Sequence, residues 1–145
     1  MTSDELAYIA GFFDGEGSVT IHTNCKPSLR GKVPNHTLQV SIGNTDPRVL
    51  LWIHSNFGGN ICYRKKVSPK WRKVAQWSIR TGGAALFLQA IYPFVRMKRD
   101  QIEIACAYQA TKRRHGPAPV NPSEVAWREE QRKQIRELNA REWVH

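Results

Sequence analysis

Acidic residues are nearly absent from the middle of this 145-residue sequence. Residues 17–99 include fourteen lysines and arginines but a single acid, Asp46. The whole chain has 22 lysines and arginines against 12 acids, a formal charge of +10 at pH 7. Because an ordinary protein surface mixes charges of both signs, this distribution predicts a polyanionic partner, and nucleic acid is the natural one. An acidic membrane surface is the alternative, but no strongly basic amphipathic helix supports it.

Other features are scarce as well. The three cysteines, Cys25, Cys62 and Cys106, are widely spaced and odd in number, which favours reduced thiols over a disulfide framework or a zinc site. No apolar run approaches the roughly 20 residues of a membrane span, no secretory leader pattern opens the sequence, and no P-loop or HExxH motif occurs. We therefore expect one intracellular domain with a modest core.

Alternating periodicities predict the first helix and hairpin. A capping box, Thr2 with Glu5, precedes an apolar stripe at i, i+3, i+4 and i+7, and the helix should end near Asp14, because two glycines follow. Strict polar–apolar alternation then predicts strands over residues 18–24 and 38–43. Residues 25–35, which lie between these strands, are expected to form a long loop of eleven residues.

A second helix–hairpin unit follows, and its helix should begin with Asp46 as N-cap and Pro47 at the first helical position. The order helix–strand–strand, twice over, predicts an α+β domain in which helices cover one face of an antiparallel sheet. Residues 1–112 would form the core, and residues 113–145 would add a connector and a charged helix to the same domain. The remaining predicted elements are a helix over 46–57, strands over 61–66 and 74–80, and helices over about 83–92, 98–111 and 123–141.

The uncovered face of that sheet is expected to bind DNA. Amides and hydroxyls along the strands can read base edges, while the lysines and arginines that frame them hold phosphates. An ordinary solvated sheet face is the alternative, but such a face usually carries both signs of charge. The predicted DNA-binding residues are Ser18, Thr20, His22, Asn24, Lys26, Arg30, Gln39, Ser41, Tyr63, Lys65, Lys70, Arg72, Gln76, Ser78 and Arg80, with Lys73 nearby.

Two acids, Asp14 and Glu16, stand among glycines where the first helix meets the first strand. An unpaired carboxylate repels phosphate unless a divalent cation lies between them. Mg²⁺ binds through one or two carboxylates plus substrate phosphates, and the Gly15 carbonyl could be a further ligand. In the alternative interpretation Asp14 caps backbone amides and Glu16 is a solvated turn acid. A glycosidase pair is a third use of two carboxylates, but it leaves the basic face unexplained.

Residues 6–18, LAYIAGFFDGEGS, resemble the signature of LAGLIDADG homing endonucleases. The helix start at residues 44–47, the helix stop at 57–59 and the segment 93–98 are similar to the same family, so the resemblance covers about residues 5–112 with one copy of the motif. It implies an αββαββα fold with a saddle-shaped antiparallel sheet and additional C-terminal helices.

The resemblance also implies an activity. The protein would be a site-specific DNA endonuclease that makes a double-strand break in a long pseudo-palindromic target, with Mg²⁺ as cofactor and Mn²⁺ as a substitute. Glu16 and Lys98 would be catalytic, and Glu16, the Gly15 carbonyl and Asp14 would hold the metal. A homodimer would form through the motif helices. These helices would cross at three small residues, Ala7, Ala10 and Gly11.

Two other functions remain open from the sequence. One is a non-cleaving nucleic-acid binder on the same fold, such as an intron RNA maturase or a regulator, and the other is a structural RNA-binding protein. The retained Asp14, Glu16 and Lys98 favour cleavage. Two positions depart from a well-studied relative, because Ile42 and Asp46 stand where that relative has a glutamine and an arginine near its active site.

Overall fold

Two helix–hairpin units follow one another, and three further helices come after them. The computed structural model describes residues 1–28, 31–64, 68–70, 72–112 and 122–140, with side chains described outside 24–34. A short 3₁₀ turn, Tyr92–Phe94, links the third and fourth helices. The elements are α1 (Ser3–Glu16), β1 (Gly17–Ser28), β2 (Gly31–Asn44), α2 (Arg48–Phe57), β3 (Asn60–Tyr63), β4 (Ala75–Arg80), α3 (Thr81–Ile91), α4 (Arg99–Thr111) and α5 (Pro122–Asn139).

Helix α1 begins as its sequence predicts. The Thr2 hydroxyl accepts the backbone N–H of Glu5 at 3.2 Å, and the Glu5 carboxylate accepts the backbone N–H of Thr2 at 2.8 Å. The helix continues to Glu16, two residues beyond the predicted end near Asp14. At Gly17 a Cβ would lie 2.2 Å from the ring of Phe13, so only glycine allows β1 to leave the helix this closely.

The four strands form one antiparallel sheet in the order β1-β2-β4-β3. Alternate residues face the helices and are buried, as the period-2 pattern predicts. The ring of Trp77 on β4 packs edge-on against Phe87 of α3, with centroids 4.9 Å apart, and its indole N–H donates to the Gly58 carbonyl at 2.8 Å. The predicted α+β order, with helices on one face of the sheet, is confirmed.

The long loop predicted over residues 25–35 is wrong. The β1–β2 ladder continues through that stretch to the pair Ser28 and Gly31. Prolines and lysines suggested a loop, but β1 is an edge strand, and β4 covers β2 only between Gln39 and Asn44. Each strand therefore has a neighbour on one side only in this stretch, where a proline costs no ladder bond if its nitrogen faces outward.

Two helix starts and one strand differ slightly from their predicted bounds. Helix α2 begins at Arg48, one residue later than predicted, and Asp46 accepts the backbone N–H of Arg48 at 3.0 Å from outside the helix. Helix α3 begins at Thr81. Strand β3 ends at Tyr63.

Helix α5 lies against α4 and the edge strand β1. Ile135 is fully buried in the core, and the Asn139 side chain donates to the Val19 carbonyl of β1 at 2.9 Å. This contact covers part of an open sheet edge, which would otherwise offer unpaired backbone groups to other strands. The predicted connector at residues 116–119 lies outside the described residues. Within the described part of the chain, no helix has the length and apolar character needed to cross a membrane.

Candidate functional site

Asp14 is a buried carboxylate that joins the end of α1 to the start of α4. It is 8% exposed. One of its oxygens accepts the backbone N–H of Arg96 at 2.8 Å, and the other accepts those of Met97 and Lys98, each at 3.2 Å. The prediction of Asp14 as a metal ligand is therefore wrong, because both oxygens are directed into the protein and already bind amides. The alternative interpretation of Asp14 as a cap is correct.

Lys98 returns a contact to the same helix end. Its ammonium group donates to the backbone carbonyls of Asp14 at 2.6 Å and Phe13 at 3.4 Å. Both carbonyls belong to the last turn of α1, where a positive charge is favourable. The Phe13 carbonyl also accepts the backbone N–H of Gly17, whereas the Asp14 carbonyl has no partner within the helix. Burial lowers the pKa of Lys98, while attraction to Asp14 and Glu16 opposes that shift. The carboxylates of Asp14 and Glu16 thus both favour the ammonium form of Lys98.

Glu16 has a different environment from Asp14. It is the last residue of α1 and is exposed, and no hydrogen-bond donor or cation contacts its carboxylate among the residues that the structure describes. It opens into a groove of about 490 Å³ that lies along the strands beside the last residue of α1. The groove is lined by Glu16, Ser18, Ser41, Asn44, Arg64 and Gln76, with further backbone and side-chain atoms beside them.

The donor groups at this helix end fit a magnesium ion. A free carboxylate and the Gly15 carbonyl, which lies in the final turn without an intrahelical partner, are hard oxygen ligands of the kind that Mg²⁺ prefers. No group of three His, Cys, Asp or Glu side chains able to hold a metal occurs in the described ranges. One chain therefore supplies one carboxylate, and the remaining ligands would come from phosphate, water or a second chain.

The strand register places the polar side chains on one surface, here called the polar face. Ser18, Ser41 and Ser78 form one row across three strands, and the Ser18 and Ser41 hydroxyls lie 2.9 Å apart. Thr20, Gln39 and Arg80 form the next row. The polar face consists of Ser18, Thr20, His22, Gln39, Ser41, Gln76, Ser78 and Arg80, all of them predicted for this surface. Their placement on one face agrees with the alternation in the sequence.

The other predicted DNA-binding residues lie elsewhere or outside the description. Tyr63 pairs with the buried Ala75, so its side chain lies on the helix-covered side of the sheet, and its assignment to the polar face is wrong by one residue of register. Lys70 and Arg72 are exposed in the connection between β3 and β4. Asn24 and Lys26 belong to β1, but their side chains are not described, and Arg30 and Lys65 lie outside the described residues.

Arg64 was missed by the sequence analysis. It follows β3, and its backbone N–H donates to the Val74 carbonyl at 2.8 Å, which extends the ladder by one residue. Arg64 is two residues after Cys62, which pairs with Gln76 on the polar face, so the two side chains lie on the same face of the sheet. The Arg64 side chain therefore reaches the groove that contains Glu16. The alternation of β3 was a signal that could have identified it.

The two positions that depart from the well-studied relative do not contribute polar groups to the groove. Ile42 is buried in the core. Asp46, the single acid between residues 17 and 99, forms hydrogen bonds with the Arg48 guanidinium as short as 2.6 Å, and these hold its pKa at about 2. Polar groups beside Glu16 come instead from Ser18, Arg64 and Gln76.

The outer side of α1 exposes apolar groups that no described residue covers. Tyr8 is 56% exposed and Leu51 of α2 is 47% exposed, and Gly11 and Gly15 face open space, where an added Cβ would meet nothing within 4 Å. Ala10 does not belong to this surface, because it is 0% exposed and packs in the subunit's own core. Its predicted place in a dimer interface is therefore wrong, while Ala7 and Gly11 are exposed as expected.

The model of the family described as LAGLIDADG endonuclease matches residues 9–93 of the chain. The chain therefore belongs to the LAGLIDADG endonuclease family. This match runs from the middle of α1 through both hairpins, α2 and α3, and includes every residue of the groove and the polar face. The comparison with curated protein sequences gave no match.

Solved structures of homing endonucleases share the fold. The homing endonuclease I-CvuI, in complex with its target in the presence of 2 mM Ca, is similar with a TM-score of 0.76 and 16% identity over 97% of this chain and 85% of that chain. The archaeal intron-encoded I-Vdi141I, complexed with DNA, is similar with a TM-score of 0.55 and 17% identity over 94% of this chain and 97% of that chain. The group I intron-encoded I-CeuI, complexed with DNA, is similar with a TM-score of 0.56 and 19% identity over 75% of this chain and 55% of that chain.

Proposed function

We propose that the protein is a Mg²⁺-dependent, site-specific DNA endonuclease that acts as a homodimer and cuts both strands of a long pseudo-palindromic target. One observation carries this proposal: Glu16 presents a carboxylate that no donor or cation contacts among the described residues. It lies at one end of the polar face, in the same groove as Ser18, Ser41 and Gln76. A surface that only binds DNA gains nothing from a free negative charge there, since it repels phosphate.

The polar face supports duplex DNA as the substrate. Its hydroxyl and amide groups offer donors and acceptors to base edges, and Arg64, Arg80, Lys70 and Arg72 add positive charge around them. A sheet of this kind can enter the major groove, where each base pair presents a distinct pattern. The similar structures of I-CvuI and I-Vdi141I contain DNA, and the same class of partner is proposed here.

Each residue at the end of α1 has a separate role in this proposal. Glu16 and the Gly15 carbonyl would hold the cation. When bound, Mg²⁺ would lower the pKa of a water molecule and neutralise charge that develops on the scissile phosphate. Lys98 adds a positive charge beside Glu16 and stabilises the carbonyls of the last helical turn. The Asp14 carboxylate positions Lys98 by accepting the backbone N–H of Lys98.

A homodimer accounts for the uncovered side of α1. Glycine is about 1 kcal/mol less favourable than alanine inside a helix, and neither Gly11 nor Gly15 is needed for packing within the subunit. Both allow the backbone of a second helix to approach closely. Two α1 helices related by a two-fold axis would bring two copies of Glu16 to the centre, one for each DNA strand.

The test uses Glu16→Gln, which keeps the size of the side chain and removes its charge. Glu137→Gln, at an exposed position of α5, is the matched control. In Mg²⁺, with a duplex selected from a random library, we expect Glu16→Gln to bind the duplex but not cut it, whereas wild type and the control cut both strands. Cutting by Glu16→Gln would refute the role of Glu16.

The same assay separates the competing functions. If wild type binds its selected duplex but never cuts it in Mg²⁺ or Mn²⁺, a non-cleaving binder such as a maturase or a regulator is the correct function. If an RNA duplex competes better than DNA, the structural RNA-binding protein is favoured instead.

A further inference from the structure

Two arginines on the DNA-facing side of the sheet are held by glutamines in the same manner. The Arg64 Nε donates to the Gln76 Oε1 at 2.8 Å, and the Arg80 Nε donates to the Gln39 Oε1 at 3.1 Å. Both arginines are exposed, and both glutamines are half-buried. Within the described part of the chain, no carboxylate lies within ion-pair distance of either guanidinium.

The sheet fixes both pairs. Gln39 and Arg80 are direct partners across β2 and β4. Arg64 is anchored by the bond from its backbone N–H to the Val74 carbonyl, which places it diagonally beside Gln76. Each glutamine thus holds its arginine in one orientation and reduces the side-chain freedom that binding would otherwise remove.

This arrangement leaves a specific set of donors free. The glutamine uses Nε, so the two terminal nitrogens of each guanidinium stay available, and their spacing matches the O6 and N7 acceptors of guanine in the major groove. A glutamine oxygen orients the arginine without neutralising it, whereas a carboxylate would compete with DNA for the charge. A phosphate can also accept both terminal nitrogens, but the position of both arginines on the polar face, among groups suited to base edges, favours guanine.

We propose that Arg64 and Arg80 each recognise one guanine in every half-site, an inference that rests on the DNA-binding function proposed above. The guanidinium of Arg64 lies at the side chain of Gln76, and Gln76 and Arg80 are four residues apart on β4, which corresponds to about 13 Å at ~3.3 Å per residue. At ~3.4 Å per base pair, the two guanines lie about four base pairs apart. The Arg64 guanine is the inner one, because Arg64 shares the groove of Glu16.

The experiment is binding selection from a random duplex library in Ca²⁺, performed with wild type, Arg64→Lys and Arg80→Lys. Lysine keeps the charge but cannot form the bidentate contact. Arg136→Lys, on the exposed side of α5, is the control. We expect wild type to select two guanines per half-site at this spacing, preferred roughly 5-fold to 150-fold each. Arg64→Lys should lose the inner preference only, and Arg80→Lys the outer one only.

Two results would overturn the inference. One is retention of both guanine preferences in the lysine variants, and the other is an equal loss of affinity for all sequences, which marks a phosphate contact. Cutting of the wild-type selected duplex in Mg²⁺ is scored separately. If the protein selects guanines but never cuts, the endonuclease function is refuted and guanine recognition is supported. If it cuts without these preferences, guanine recognition is refuted and the endonuclease function is supported.

Discussion

Replacing Asp14 by alanine should destabilise the fold, because its carboxylate holds three backbone amides at the junction of α1 and α4. The bonds to Arg96, Met97 and Lys98 measure 2.8, 3.2 and 3.2 Å. A hydrogen bond to a charged group contributes about 1.5–3 kcal/mol, with longer bonds at the low end. Water can reach some of the freed amides, since Arg96 and Met97 are exposed. We therefore expect a loss of about 3–4 kcal/mol rather than the full sum.

Thermal unfolding measures this loss. For a chain of this length, 3–4 kcal/mol lowers the Tm by roughly 6–16 °C, and urea unfolding should give a lower midpoint at an unchanged slope. Asp14→Asn, which keeps one accepting oxygen but not the charge, should fall between wild type and Asp14→Ala. Glu16→Gln is the matched control, only two residues away. It should unfold within about 0.5 kcal/mol of wild type, because Glu16 is exposed and has no described partner.

The contrast between the two acids tests the reasoning. If Asp14→Ala has the Tm of wild type but no longer cuts DNA, then Asp14 is a metal ligand and its backbone contacts contribute little. If Glu16→Gln loses as much stability as Asp14→Ala, then Glu16 has a structural partner in the folded protein. Either result would refute the division of roles between Asp14 and Glu16.

Two further predictions concern assembly and pH. Gly11→Leu should convert the proposed dimer to a monomer in sedimentation velocity. It should not unfold the subunit, since a side chain there meets open space and leucine favours the helix. The control Ala107→Leu, at an exposed position of α4, should stay dimeric, and a dimeric Gly11→Leu would contradict the interface. Burial raises the pKa of Tyr108 to about 12, against about 10 in an unfolded chain. The stability that the neutral Tyr108 side chain contributes is therefore fully present below about pH 10, and it is lost as the pH rises to about 12. Urea unfolding across this range should show a decline that is absent in Tyr108→Phe, and an equal decline in both proteins would contradict the assignment.

Local patterns in the sequence predicted much of the fold. The capping box of Thr2 and Glu5 depends on residues three apart, and the polar face depends on alternation within single strands, so both follow from short stretches of sequence. The apolar stripe of α1 also contained a signal that was overlooked. Ala10 falls in that stripe beside Ile9 and Phe13, and the same periodicity that buries those residues excludes Ala10 from an outer surface.

Contacts between distant parts of the chain were not predictable. The amides that bind Asp14 lie 82 to 84 residues further along the chain, so no local pattern distinguishes this buried cap from a metal ligand. The extension of the first hairpin depends on which strands lack a second neighbour, which is a property of the assembled sheet. The pairing of Arg64 with Gln76 likewise depends on the register between β3 and β4.

Three features of α1 lower the stability of the isolated subunit, and the proposed assembly accounts for each of them. Gly11 and Gly15 weaken the helix by about 1 kcal/mol each relative to alanine and fill no tight space in the subunit. Tyr8 leaves most of its ring in water. Glu16 places a negative charge at the helix end where the dipole is already negative. A partner helix would explain the glycines and cover the ring, and a cation would offset the charge, so a single chain without DNA and metal is expected to be less stable than the complex.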